Sequence, residues 1–370
     1  MRTISSIDVA CIDLELKESF SIAGGGTSVA ESAVVRLTLQ DGTTGLGEAA
    51  PFAAYDGQTR AGALDALAAA APALVGLDPV FPQQVHDRIM ESSPGSSCAL
   101  VALEMAALDA FARSESMQLW RYFGAKDAPL VTDLTIVAGD LDHAANSARE
   151  AHRMGFRTLK VKVGRDGVSL DRERLQVISR AAPDCCFILD ANGGFSAEEA
   201  EAMMRACHSD GIPVELFEQP VEALDERGMA HLRALEMWPI CADESCRSAA
   251  DAMRIVRASS ADCINVKTQK SGVMEALKII EVARAAGLSL MIGGMVESLL
   301  SMSFSAHLAR GTGVFRWIDL DTPLFVVNSP FSGGIDIDGG TVTLVTDVCG
   351  HGVQIESDDL DWQRLAGESL

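Results

Sequence analysis

Nowhere in the 370-residue chain does an apolar run reach the ~18 residues that a membrane-spanning helix needs. No basic leader followed by an apolar stretch precedes the first strand-like segment, so a cytoplasmic location is expected. Basic residues are scarce: 30 Lys and Arg stand against 52 Asp and Glu, for a formal net charge of −22. A surface so acidic repels nucleic acid and anionic membranes, and neither is expected as a partner. The nine cysteines fall at no metal-binding spacing. Cys11, Cys98, Cys186 and Cys263 lie in apolar surroundings and read as reduced core residues. The glycine run Gly24-Gly25-Gly26 is not followed by Gly-Lys-Ser/Thr, which excludes a phosphate loop.

What is present suffices for a large core, with 48% hydrophobic residues in a length that fits a barrel plus a smaller domain. Residues 2–50 alternate like antiparallel strands, with Asp41-Gly42 as a hairpin signal, and residues 60–124 carry helical apolar spacing. From Pro129 the pattern changes to strand–helix alternation. Strands are predicted at 130–136, 157–163, 186–190, 214–218, 239–243, 262–267, 288–293 and 316–320, with helices such as Asp171–Ala182, Ala197–Ser209 and Val273–Ala286 between them. The expected fold class is α/β, a (β/α)7β TIM-type barrel over 127–322. An α+β domain over 1–126 precedes it, and a tail over 323–370 is expected to return to that first domain through Thr341–Val345.

The most informative pattern is a relay of charged residues, each closing an apolar run. Lys160 and Lys162 lie in Thr158–Gly164, Asp190 ends Cys186–Asp190, Glu218 ends Val214–Glu218, Asp243 follows Ile240–Ala242, and Lys267 follows Cys263–Val266. From Asp190 the successive spacings are 28, 25 and 24 residues, about one strand–helix unit of such a barrel. Parallel strands bring these ends to one mouth. Any single acid could be a helix cap or a solvated loop residue; three at successive strand ends describe a hard-oxygen site suited to Mg²⁺ rather than zinc. Lys160 and Lys162, two apart on a strand, share a face. Mutual repulsion and burial are expected to lower a lysine pKa there towards the range a general base needs.

Lys160-Val161-Lys162, Leu189-Asp190-Ala191-Asn192, Phe217-Glu218-Gln219-Pro220, Ala242-Asp243-Glu244-Ser245 and Asn265-Val266-Lys267, in this order, resemble the enolase superfamily in its muconate-lactonizing subgroup. Gly45-Leu46-Gly47-Glu48-Ala49 is similar to that family's capping-domain signature, so the resemblance spans nearly the whole chain and makes the first domain and the tail a cap. The resemblance implies that Asp190, Glu218 and Asp243 ligate Mg²⁺, that a substrate carboxylate binds the metal, and that an enediolate forms. It also implies that Lys162 and Lys267 act as bases on opposite faces and that Lys160 assists Lys162 and touches the carboxylate.

Asp319 and Asp321 on the last barrel strand resemble the Asp-x-Asp motif of dipeptide epimerases, which binds the substrate's α-ammonium group. The same spacing recurs at 140/142, 336/338 and 359/361, and only its place on the eighth strand singles this copy out. The implied reaction is inversion of the α-carbon of the C-terminal residue of an L,L-dipeptide. Glu297 and Thr135 are further candidates for substrate contact, with Glu297 also able to orient Lys267. Phe20, Ile22, Phe52 and Tyr55 are candidates on two lid loops, one of them Phe20–Thr27. No Arg occurs between Arg2 and Arg36, which favours a small or hydrophobic C-terminal side chain. Thr268–Val273 departs from the commoner family wording after Lys267. Alternatives are another reaction of the subgroup (o-succinylbenzoate synthase, N-acylamino acid racemase, amino-acid dehydratase or cycloisomerase) or a non-catalytic metal-binding barrel. A homo-oligomer is compatible with the chain.

Overall fold

The computed structural model describes residues 2–22, 25–137, 139–356 and 360–367, with the backbone alone at Ser21 and Ile22. Strands β1 (Ile4–Ile22), β2 (Gly25–Leu39) and β3 (Thr44–Ala49) form an antiparallel sheet. Alternate side chains of the run Ala33-Val34-Val35 enter two different cores. Ala33, Val35, Leu37 and Leu39 pack with the cap helices, whereas Val34, with Ile12 and Leu14, packs toward Met295, Val296 and Leu300 of the barrel. The β1–β2 ladder continues to Phe20↔Thr27 and Ile22↔Gly25, so the segment expected as a loop is the far end of a long ribbon. Its Ala23 and Gly24 lie outside the described residues. Cys11 is exposed rather than buried, because Ile12 and Leu14 take the inward face of β1 and Cys11 faces out with Asp13.

The helix Ser97–Ser114 is nearly all buried because it lies between this sheet and the barrel. Ala102, Ala106 and Ala110 face the sheet core, and Val101, Met105 and Leu108 face the barrel core. Its backbone approaches β3 closely only because Gly45 and Gly47 are there. A Cβ on Gly45 would lie 2.1 Å from the Ala106 carbonyl oxygen, and one on Gly47 would lie 2.0 Å from that of Ala102.

After β4 (Leu130–Val131) come eight parallel strands: β5 (Leu134–Ile136), β6 (Thr158–Lys162), β7 (Cys186–Asp190), β8 (Val214–Glu218), β9 (Ile240–Ala242), β10 (Cys263–Val266), β11 (Ser289–Ile292) and β12 (Trp317–Ile318). They pair in chain order. The ring closes where Thr132 bridges Ile318 and the Asp133 N–H donates to the Ile318 carbonyl at 3.0 Å. The result is a (β/α)7β barrel carrying an α+β cap. Several strands stop a residue or two inside their predicted limits, and an unpredicted helical turn, Thr268–Ser271, follows Lys267 directly.

Inside the barrel, Ile188, Leu216, Cys241, Cys263, Met291 and Trp317 form one apolar layer, one residue from each of β7 to β12. Two residues further along five of these chains stand Asp190, Glu218, Asp243, Asn265 and Asp319. The period of two therefore places a polar layer directly above an apolar plug.

The tail contains β13 (Phe331–Gly333), β14 (Ile335–Asp338), β15 (Thr341–Leu344), β16 (Val353–Ile355) and β17 (Gln363–Gly367). It divides. β17 pairs with β1 in the cap sheet, whereas Thr341–Leu344, expected to return to the cap, pairs with β4 at the barrel's N-terminal end. There Ile335, Val342 and Leu344 join the barrel core, which outweighs any pairing they could make in the cap. Among the described residues no helix is long and apolar enough to cross a membrane.

Gly47→Ala should lower stability by at least about 2 kcal/mol, because overpacking meets backbone that cannot yield. Urea denaturation measures it, and a midpoint equal to the parent's would mean that the helix simply moves away.

Candidate active site

Strands β6 and β10 are four apart in a ring of eight, so Lys162 and Lys267 enter the mouth from opposite sides. The strands between them, β7 to β9, end in Asp190, Glu218 and Asp243. The other arc, β11, β12 and β5, supplies Asp319, Asp321 and Thr135. Lys162 Nζ donates to Asp190 Oδ2 at 2.7 Å and to Asn192 Oδ1 at 3.1 Å. Lys267 Nζ lies 2.7 Å from Asp243 Oδ2. One layer deeper, Lys160 Nζ joins the two arcs, at 2.7 Å from Asp319 Oδ2, 2.8 Å from Glu218 Oε2 and 3.1 Å from Asp190 Oδ2.

This wiring reverses one expectation. Burial works to lower the pKa of Lys160, but Asp319, Glu218 and Asp190 outweigh it and hold the ammonium well above its ordinary range. Lys267 is likewise held up by Asp243 and Glu218 against its burial. Lysine–lysine repulsion does not dominate, because Asp190 accepts both ammonium groups of the Lys160/Lys162 pair.

Asp190, Glu218 and Asp243 are all fully buried. Burial pushes each carboxyl up. At Asp190 the lysines Lys162, Lys160 and Lys267 more than offset this, and at Asp243 Lys267 and Lys270 do, so both remain far below the ordinary carboxylate range. Glu218 is pushed up to about 6 by burial and by Asp190. Glu218 Oε2 and Asp243 Oδ2 accept no aligned hydrogen bond, and their close partners are the ammonium groups of Lys160 and Lys267. Buried carboxylate oxygens left so are costly unless a cation takes them, and the donor set is all hard oxygen, so these residues fit a divalent metal such as Mg²⁺. Asn265 Nδ2 donates to Glu218 Oε1 at 2.7 Å, and Gln219 Oε1 fixes the backbone that carries Asp243, accepting from Asp243 N–H at 2.9 Å and Ser245 N–H at 3.1 Å. Asn192 and Gln219 adopt left-handed backbone, φ +44° and +35°, as the chain turns away from the strand ends.

Among the described residues a different trio of acids is drawn together closely. One carboxylate oxygen each of Asp133, Asp319 and Asp321 lies within 4.8 Å of the others. Neither oxygen of Asp133 has a hydrogen-bond partner, while Asp321 Oδ2 accepts the Thr135 N–H at 2.6 Å. Burial and the neighbouring Asp319 push Asp321 up to about 7. Three crowded carboxyls facing one lysine invite a further cation.

Phe20, Phe52, Tyr55, Thr135, Lys160, Lys162, Asn192, Lys267, Asp319 and Asp321 line one small cavity with about 20 Å³ of free space, so the aromatic cover must move aside to admit a small-molecule ligand. The Phe20 ring lies 5.6 Å from Lys162 Nζ and the Tyr55 ring 5.4 Å from Lys267 Nζ. Two candidates stand apart. The Ile22 side chain lies outside the described residues. Glu297 does not line the cavity: it is buried, accepts from Met295 N–H at 2.6 Å and from the Ser301 hydroxyl, and is pushed up to about 7 by burial. Sequence reasoning did not single out Asp133, Asn265 or Lys270. The first two stand two residues before Thr135 and Lys267, so the strand period already carried them. Lys270, one helical turn after Lys267, donates to Asp243 O and Oδ1, both at 2.8 Å, and to Asn265 O at 2.7 Å.

Residues 143–360 match the family model described as enolase C-terminal domain-like, and residues 4–124 match that of the mandelate racemase / muconate lactonizing enzyme N-terminal domain. An aromatic dipeptide epimerase of Herpetosiphon aurantiacus is 46% identical over 95% of this chain and 99% of its own length. An L-Ala-D/L-amino acid epimerase of Populus trichocarpa is 40% identical over 96% of this chain and 84% of its own. Among solved structures, a dipeptide epimerase from Enterococcus faecalis complexed with Mg and L-Leu-L-Tyr aligns with a TM-score of 0.91 at 31% identity, covering 96% of this chain and all of that one.

Lys270→Met should cost about 3 kcal/mol or more, since it strips two buried carbonyls and a carboxylate of their ammonium donor. Urea denaturation in EDTA measures this, and a variant as stable as the parent would show that Lys267 alone neutralises Asp243.

Proposed function

The chain belongs to the mandelate racemase / muconate lactonizing enzyme family of the enolase superfamily, and on that premise we propose that it is a Mg²⁺-dependent dipeptide epimerase. It inverts the α-carbon of the C-terminal residue of an L,L-dipeptide. The observation that carries this reading is that two amines from diametrically opposed strands meet in one cavity whose third side is acidic.

Asp190, Glu218 and Asp243 would hold the metal. When bound, Mg²⁺ draws charge from the substrate carboxylate and so acidifies the adjacent C–H. Asp319 and Asp321, backed by Asp133, take the α-ammonium group by charge-assisted hydrogen bonds and fix the peptide between the lysines. With Asp190, Glu218 and Asp243 committed to the metal, the carboxylates that hold Lys267 charged would no longer do so; one lysine, neutral at the start, then removes the α-proton from its face as the C–H bond breaks and a planar enediolate forms. The opposite lysine, protonated at the start, returns a proton to the other face. No atom is gained or lost, and the two amines finish with exchanged protonation. Lys160 stabilises the developing negative charge and keeps Asp319 oriented. A substrate lacking a free ammonium would leave the Asp133/Asp319/Asp321 group uncompensated, which disfavours the family's acylated and non-amino substrates.

Phe20, Phe52 and Tyr55 cover the site, and Phe20 packs edge-on against Phe52 at 6.5 Å and against Phe325 at 6.3 Å. Arg60 is committed to Asp13 and Glu31. The cover is therefore apolar, and we propose hydrophobic C-terminal residues as the preferred substrates.

In D₂O with Mg²⁺, a panel of L,L-dipeptides should gain one deuterium at the C-terminal α-carbon, read by mass and NMR; no exchange across the panel would sink the proposal. Lys162→Ala and Lys267→Ala should each lose epimerisation by about 10³-fold or more while exchanging opposite stereoisomers. The same residual stereoisomer in both variants would reject the two-base assignment. Asp321→Asn should raise KM about 10–100-fold with kcat nearly kept, the loss of one charge-assisted hydrogen bond; unchanged constants would remove its ammonium role.

A further inference from the structure

We propose that Gln269 is a positioning residue that ties the cap's Ala50–Asp56 segment to the Lys267 side of the mouth and leaves the Lys162 side independent. The inference rests on the two-lysine reading above and deepens it. Gln269 is buried in the middle of the turn Thr268–Ser271, which begins directly after Lys267. Its side chain makes three bonds outside its own segment. Nε2 donates to the Glu48 carbonyl at 2.8 Å and to the Ser301 hydroxyl at 3.1 Å, and Oε1 accepts the Ala50 N–H at 3.1 Å. Its main-chain carbonyl accepts the Ser97 hydroxyl at 2.8 Å.

Glu48 lies near the end of β3 of the cap and Ala50 directly follows it. Two residues beyond Ala50 begins the piece that covers Lys267, with Tyr55 set 5.4 Å from its ammonium and 3.3 Å from Asp243 Oδ1. One amide thus fixes both the turn that carries Lys267 and the cap segment that roofs it. Lys270, in the same turn, holds Asp243 and Asn265 from below.

Among the described residues no side-chain amide ties the cap to Lys162 in this way. That lysine ends β6 across the barrel, is held by Asp190 and Asn192, and lies beneath Phe20, which belongs to the β1–β2 ribbon. The two faces of the site therefore have different hydrogen-bonded supports, and their covers meet at the Phe20–Phe52 ring contact. Loosening one should misplace one amine only, and a misplacement of about 1 Å is worth up to ~10²-fold in rate.

Gln269→Met keeps the volume and removes the three side-chain bonds. Placed in the Lys162→Ala background, it should cut the surviving, Lys267-driven deuterium exchange about tenfold or more, whereas in the Lys267→Ala background the Lys162-driven exchange should stay within about twofold. Equal losses on both faces, or none, overturn the proposal. A second readout needs no substrate: labelling with an imidoester, quantified at each lysine by peptide mass, should accelerate several-fold at Lys267 and not at Lys162. Parallel acceleration, or no change, also overturns it, and it does so even if no dipeptide proves to be a substrate. Ser97→Ala, which loses the bond to the Gln269 carbonyl and the one accepted from Gln58 Nε2 but none made by the Gln269 side chain, should shift both readouts the same way by less, and carries the test if Gln269→Met does not fold.

Discussion

The mouth of this barrel is governed by one constraint: buried ammonium and carboxylate groups must be kept in near balance. Lys160 is the hinge of that balance, since a single ammonium faces Asp190, Glu218 and Asp319 from two arcs of the ring. An isolated charge at this depth would be prohibitive, and a pair is tolerable only when its remaining valences are filled. Asn192, Asn265 and Lys270 fill several of them. What they leave open is informative, because the unaligned oxygens of Glu218 and Asp243 and the bare carboxyl of Asp133 mark places with negative charge still to be met. The first two lie on the arc suited to a metal and the third on the arc suited to an ammonium group.

The balance holds only because the apolar layer below shuts the barrel. Ile188, Leu216, Cys241, Cys263, Met291 and Trp317 exclude water from beneath, and Phe20, Phe52 and Tyr55 cover the top. The cap can supply that cover because its sheet is buried on both faces and its longest helix serves two cores. Gly45 and Gly47 make that sharing possible, which gives a steric reason for glycines in a segment otherwise suited to β-branched residues.

Strand ends and the layer above the apolar plug were legible in the sequence because charge interrupts apolar runs at a regular spacing. The period of two, applied to Lys160/Lys162 and Asp319/Asp321, would have exposed Asp133 beside Thr135 and Asn265 beside Lys267 as well. Other features depended on tertiary partners that no local pattern announces. Glu297 reads as a mouth residue from its position after β11, yet the Met295 amide and the Ser301 hydroxyl claim its carboxylate. Phe20–Thr27 is loop-like in composition, but its residues 20–22 and 25–27 stay extended because each strand of the ribbon satisfies the other's backbone. Thr341–Leu344 alternates equally well for two destinations, and the open edge of β4 decides between them. At Lys160 the expected lowering of the lysine pKa is reversed, because repulsion between two amines takes no account of the carboxylates Asp319, Glu218 and Asp190 around that ammonium.

Setting the two amines on antipodal strands has a kinetic corollary for the proposed reaction. Each conversion leaves the free enzyme as the opposite proton isomer, ready for the reverse substrate and unready for another of the same hand. The contacts between Lys162 and Lys267 run indirectly through the Lys160 and Lys270 ammoniums and the Asn265 amide, so the proton is expected to return through water that reaches both lysines while the aromatic cover is raised. At high concentration of one stereoisomer, that relaxation rather than carbon–hydrogen cleavage would limit throughput, and the enzyme would carry a chemical memory of the last molecule it turned over.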